Sequence, residues 1–318
     1  MALTTAPGRT AETPSAARPG RVASTGRRRR LSTTPYLFLL PGIVIFVVAI
    51  IWPAVSAFQM SLYKWNVFNS ALSRWSGIDN YIRAFQDPHF WLSLSNSGIY
   101  MVATVIPQIA LGLGIALLLK RKSPSQPVFR VLFYLPVVTS WVVVSLLFKF
   151  LFDDSGLINF TLHDFLHLEA SNTSWLADRW SALVVICLLG IWKGIGWSMM
   201  IYLAALQGVP ESLEEAAEMD GANFFNRFVY IILPHMARAI TVVILIQTIY
   251  LLGVYAEILV TTGGGPGYAS TNLPFLIYRI GVVSSDVGGG AAGGIIAVIL
   301  ANIVAIFLMR AVGKNLDA

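Results

Sequence analysis

The chain alternates long apolar runs with short polar connectors. Six runs fall at about 36–60, 98–119, 131–152, 182–206, 240–261 and 291–309. Each is long enough to cross a bilayer as a helix, which takes about 20 residues. None shows the ten-residue alternation of a membrane barrel strand. Lipid offers no water to open backbone groups, so the runs are predicted to be helical. The expected fold class is all-α, a polytopic membrane protein with six transmembrane helices. Residues 1–30 carry Ala, Thr, Ser, Pro, Gly and Arg without apolar periodicity, and are expected to be a disordered leader. Residues 31–318 are read as one transmembrane domain. The first run is too long, and its leader too extended, for a cleaved signal peptide.

One connector stands apart. Within residues 208–235 lies EEAAEMDGANFFNRFVYIILP, from Glu214 to Pro234, with four acids. Ser212 precedes Glu215 by three residues, the spacing of a capping box, so a helix is predicted to start there. Gly221 supplies the left-handed conformation that ends helices. Phe225, Phe228, Val229 and Ile232 then form an apolar stripe at i, i+3, i+4, i+7, and Pro234 marks the boundary of the next span. Two short helices bent at Gly221 are predicted. Ala216, Ala217 and Ala222 flank the bend and would let another protein surface come close. The residues alone also leave a merely solvated hairpin open.

Composition supports the membrane reading. Apolar residues make up 56% of the 318 and charged residues 12%, about half the charged share of a soluble domain. A single cysteine, Cys187, excludes an internal disulfide. The net charge of +6 does not point to nucleic acid, because seven of the 22 basic residues lie in the first 30 positions, four of them consecutive at Arg27–Arg30. Such a cluster before an apolar span acts as a cytoplasmic anchor. With the N-terminus inside, 15 Lys and Arg fall on inner segments and 5 on outer ones. Both termini and the 208–235 segment are therefore expected in the cytoplasm, with connectors near 64–97, 153–181 and 262–290 outside.

Candidate chemistry is sparse. No GxxxxGK[ST] phosphate loop occurs, so no nucleotide cofactor is expected on this chain. His163 and His167 share a helical spacing but lack a third ligand, and no catalytic pair has workable spacing; an enzyme is not expected. Gly263–Gly265 with Pro266 and Gly267 read as a tight outer turn. Gly112, Gly114 and the glycines at 288–290 and 293–294 read as close helix packing. Polar groups inside spans are more telling. Lys193, Trp197, Met200, Ala204 and Gln207 share one face of the fourth run, and Gln247, Tyr250, Val254 and Glu257 one face of the fifth. They suit a wet path for a polyhydroxylated solute, with Lys193, Gln247, Tyr250 and Glu257 its candidate lining. Equally, Lys193 and Glu257 could satisfy each other while Gln247 bonds a neighbouring helix.

The segment from Glu215 to Pro234 resembles the EAA loop of bacterial ABC importer permeases: EAA, three residues, G, nine residues, I-x-L-P. Here these are Glu215, Ala216, Ala217, Gly221, Ile231, Leu233 and Pro234. GIDNYIRAFQDPHFWLSLSNS (Gly77–Ser97), IWKGIGWSMMIYLAALQGVP (Ile191–Pro210) and TGGGPGYASTNLPFLIYR (Thr262–Arg279) resemble segments of the carbohydrate-uptake branch, in the same order. Ser198 departs from the asparagine common there. Residues Tyr255–Pro274 look closest to permeases associated with polyols such as mannitol and sorbitol. The resemblance implies a type I permease fold in the bacterial inner membrane. It implies a second homologous permease, two ATP-binding subunits and a periplasmic or lipid-anchored solute-binding protein. It also assigns ATPase coupling to Glu215, Ala216, Ala217, Asp220, Gly221, Ala222, Leu233 and Pro234. A stand-alone secondary transporter or channel is the alternative; it would be expected to show internal repeats, and none is evident.

Overall fold

The computed structural model describes residues 34–120, 123–167 and 173–313; the leader over 1–30 lies outside them. The chain divides into two compact units after Ile51, and the second, Trp52–Ala318, holds every site discussed below.

The first span, Phe38–Ser61 (α1), contains a π turn over Val47–Ile51, ahead of Pro53. Proline cannot donate to the carbonyl four residues back, and a widened turn takes up that fault. A short antiparallel ribbon follows, β1 (Tyr63–Lys64) and β2 (Arg74–Trp75). Next come α2 (Asp79–Gln86) and α3 (Pro88–Lys120). Buried Asn80 on α2 donates to the carbonyls of Ser61 (2.7 Å) and Tyr63 (3.0 Å), closing the end of α1. Helices α4 (Gln126–Val138) and α5 (Trp141–Leu151) are bent by 96° to each other. A short helical turn leads to α6 (Arg179–Leu206), α7 (Glu211–Met219) and α8 (Phe224–Leu251). The chain ends in α9 (Ala256–Thr261), α10 (Leu273–Val283) and α11 (Val287–Gly313).

Among the described residues, five helices are long and apolar enough to span a membrane, and the bent α4–α5 pair makes a sixth when counted as one broken span. The predicted run at 131–152 is thus not one straight helix. Pro136, and the extended backbone at Thr139 and Ser140, break it. The run at 240–261 is also two pieces, because α8 stops at Leu251 and a turn through Gly253 precedes α9. In contrast, α3 starts ten residues before the predicted span, and its early polar residues Ser93 and Asn96 are buried in protein.

Helices α3 and α6 form the centre. Small residues on α6 spaced by four, Gly190, Gly194 and Ser198, face Tyr100, Gln108 and Gly112 of α3, and Gln108 Nε2 donates to the Gly190 carbonyl at 2.7 Å. A side chain at Gly194 would overlap Gln108, and one at Gly112 would meet Ser198 Cβ at 2.8 Å. Backbones approach this closely where small residues line up. On the other flank of α6, a Cβ at Gly196 would run into the Phe133 carbonyl of α4. Buried Asn96 ties the far end together. It donates to the Ala269 and Thr271 carbonyls, both at 2.8 Å, and accepts from Arg179 Nη2 at 2.9 Å. The glycine turn is as predicted: Gly263, Gly264 and Gly267 have positive φ, and Gly264 is also closed in by Thr271 and Phe275. Gly288, Gly290 and Gly293 pack closely at the start of α11, whereas Gly114 and Gly294 face open space.

Candidate functional site

Two sites lie at different depths of the bundle. The first is the bend after α7. Gly221 has φ +80°, its N–H donates to the Glu218 carbonyl (3.0 Å), and the Ala222 N–H donates to the Ala217 carbonyl (2.9 Å). These are the paired bonds of a Schellman cap, with Ala217 three positions inside the helix and Gly221 just past its end. The spacing from EAA to G is therefore the spacing this cap requires. The capping box is not formed. Helix α7 begins at Glu211 after Pro210, no side chain caps it, and Ser212 lies within the first turn. The proline already fixes an entry backbone that needs no hydroxyl. Asn223 caps the next helix instead, accepting from Asn226 N at 2.8 Å.

Helix α8 runs on through Pro234, which follows a second π turn at Phe228–Ile232, so this proline does not end the helix. Of the predicted stripe only Ile232 is buried, while Phe225 is exposed. Glu215, Ala216, Asp220, Gly221 and Pro234 are exposed; Ala217, Ala222 and Leu233 are half-buried. Leu233 packs on the core of Tyr202, Met236 and Leu206. Two ion pairs hold α7 in place. Glu214 pairs with Lys120 at the end of α3, and Glu218 with Arg227 (2.5 Å). A hollow of about 530 Å³ opens beside them, lined by Lys120, Glu214, Glu215, Glu218 and Arg227.

The second site is a half-open hollow of about 230 Å³ between the helices, lined by Val137, Trp141, Lys193, Gly194, Trp197, Ile246, Gln247 and Tyr250. It gathers Lys193, Gln247 and Tyr250 from two predicted faces. Lys193 is 3% exposed, and its ammonium donates to the carbonyls of Pro136 (2.7 Å) and Thr139 (2.6 Å). It also sits 4.6 Å from the centre of the Trp141 ring. Its charge thus closes the broken end of α4, where the last carbonyls carry partial negative charge and Pro136 O also accepts from Thr139 Oγ1 at 2.6 Å. Lys193 forms no ion pair with Glu257 among the described residues. Gln247 Nε2 donates to Ser198 Oγ at 3.2 Å, so it both lines the cavity and bonds a neighbouring helix.

Glu257 is not on the α8 face predicted for it, because the turn at 252–255 carries it onto α9. It is 2% exposed, its Oε1 has no hydrogen-bond partner, and it lines a second hollow of about 330 Å³ with Trp141, Tyr250 and Tyr255. Trp141 and Tyr250 wall both hollows and stack on each other, 5.8 Å apart at 27°. Trp141 was not among the predicted residues. Its signal was the Pro136…Thr139-Ser140 break just before it, which turns an apparent lipid-facing tryptophan inward. Met200 and Ala204 do not line either hollow. No group of three metal-ligating side chains occurs among the described residues, and His167 Nδ1 lies 3.0 Å from the His163 carbonyl.

Comparison with known proteins agrees with this architecture. The family described as binding-protein-dependent transport system inner membrane component matches residues 108–317. A probable ABC transporter permease of Bacillus subtilis, YurN, is 33% identical over 279 residues, 87% of this chain and 94% of its own. The arabinooligosaccharide permease AraP of Halalkalibacterium halodurans is 31% identical, covering 86% and 85%. The trehalose/maltose permease MalF of Thermococcus litoralis is 32% identical, covering 83% and 88%. In fold, the chain matches a subunit of a bacterial ABC transporter that imports the acidic polysaccharide alginate, with a TM-score of 0.77, 22% identity and 88% and 95% coverage. The multi-pass helical bundle and these relatives give one conclusion: the chain belongs to the binding-protein-dependent ABC transporter permeases of the inner membrane, a transport component and not an enzyme.

Proposed function

We propose that this chain is the membrane-spanning permease of an ATP-driven importer for an oligosaccharide, sugar or polyol delivered by a solute-binding protein. It pairs with a second permease, and two ATP-binding subunits seat the loop around Glu215 and Gly221. ATP and magnesium are used by those subunits, and both termini lie on their side, the cytoplasm. ATP-driven closure there biases the bundle between inward- and outward-open states.

The observation that carries the solute class is the stacked Trp141–Tyr250 wall shared by two hollows, with the Gln247 amide beside it. Aromatic faces and amides suit the apolar faces and hydroxyls of sugar rings. The relatives named for arabinooligosaccharides and for trehalose and maltose support the same class. The exposed EAA surface, braced from behind by two ion pairs, supports the coupling role.

The test is uptake of labelled oligosaccharide into vesicles that contain the chain with its co-expressed subunits and binding protein. Uptake is expected only with ATP, and Trp141→Ala is expected to cut it about tenfold, the equivalent of losing one aromatic contact of ~1.5 kcal/mol. Uptake without ATP or an ATPase would mean a secondary transporter. Unchanged uptake in Trp141→Ala would remove the aromatic wall from the path.

A further inference from the structure

The ribbon after the first span plays no part in the transport reading above. It places Lys64 directly opposite Arg74. Like charges facing each other across a ladder are destabilising. Neither has an ionic partner among the described residues. Arg83 lies beside them, donating to Asp286 (3.1 Å) and to Asn80 Oδ1 (2.5 Å). The three cations, with Asn66, Ser284 and Ser285, line a polar hollow of about 490 Å³ in which Asp286 is the one acid. Two positive charges are left uncompensated.

The loop between the strands is apolar and exposed. Phe68 is 98% exposed, and Val67, Leu72 and Trp75 are each more than half exposed. The loop is nonetheless ordered by its own side chains. Asn66 Oδ1 accepts from the Phe68 and Asn69 N–H groups (3.0 and 2.9 Å), and Ser73 Oγ from the Asn66 N–H (3.0 Å). Position explains the combination. Helix α1 ends at Ser61 and only Leu62 separates it from the ribbon, which puts the hairpin at the end of an apolar span, where the bilayer gives way to water. Aromatic rings and cations concentrate at that depth. A charge pair that costs stability in isolation becomes favourable when a phosphate lies between the two side chains.

We propose that this hollow binds the phosphate of an anionic phospholipid, with Phe68 and Leu72 inserted into the acyl boundary beside it. The site would fix the end of α1 at Ser61, because Asn80 closes that end and Arg83, three residues on, lines the hollow.

The test uses the full chain with its partner subunits in nanodiscs of phosphatidylcholine, with or without phosphatidylglycerol. Phosphatidylglycerol retained after mild delipidation is counted by native mass spectrometry. Each cation near a membrane surface contributes about fivefold, the equivalent of about 1 kcal/mol. Lys64→Ser with Arg74→Ser is therefore expected to lower retention by more than tenfold, and the swap Lys64→Arg with Arg74→Lys to preserve it. A fluorophore on Phe68→Cys is expected to be quenched by brominated acyl chains. Equal retention in the wild type and the serine variant overturns the proposal. Full competition by inorganic phosphate, with the fluorophore in water, overturns it in favour of a free-phosphate site. Quenching or protection of the fluorophore only on adding the solute-binding protein overturns it in favour of a protein-docking face.

Discussion

The bend after α7 and the cavity beside Lys193 are built in opposite ways. The bend is local. Its glycine, its cap bonds and its three alanines lie within eight residues, and the Gly221 Cβ direction meets nothing within 4 Å. The cavity is assembled from residues far apart in the chain: Val137 and Trp141 beside the α4–α5 break, Lys193 and Trp197 from α6, Gln247 and Tyr250 from α8. A surface that must seat against a partner depends on its own backbone conformation. A path for solute depends on how helices break and pack.

That contrast makes substitutions at the two sites separable. The largest effect on transport is expected from Gly221→Val. A side chain there costs ~1–2 kcal/mol in the left-handed region, more for a β-branched residue, so uptake should fall at least tenfold. Nothing crowds the site, so the protein should stay folded in the membrane, with a thermal midpoint only a few degrees lower. Gly221→Asn, which tolerates that conformation, should keep most of the uptake. Equal loss in both variants would mean that the side chain itself, and not the backbone, blocks the partner.

Lys193→Met should do the reverse. It removes the charged donor from both carbonyls, of which Pro136 keeps the Thr139 N–H and Oγ1, a loss of about 2 kcal/mol, read as a lower thermal midpoint in detergent. Seating of the ATP-binding subunits should be unaffected, since Lys193 touches neither α7 nor Gly221. An unchanged midpoint would mean that the ammonium does not hold the break.

The same contrast explains what the sequence could reveal. Six crossings, the all-α class and the Gly221 bend follow from run lengths and from one glycine after a good helix, and these are properties of neighbouring residues. The start of α7 was misjudged because a capping-box spacing and a proline compete for the same turn, and Pro210 wins. Glu257 was misplaced because helical periodicity was carried across Gly253, where the helix had ended. Trp141 was missed because its role depends on a 96° bend, which apolarity alone does not encode. Lys193 was found by its cost in an apolar run. Its partners, carbonyls freed by a break 54 residues away or more, could come only from the fold.

The central claim is that the exposed face of α7 receives an ATP-binding subunit. The most direct measurement places a cysteine at the exposed Ala216 and crosslinks it with a short bifunctional reagent in membranes that contain all subunits. Crosslinks to the ATP-binding subunit, changed in yield when ATP closes that subunit, are expected. Active uptake with no crosslink to any ATP-binding subunit from Ala216 would contradict the claim.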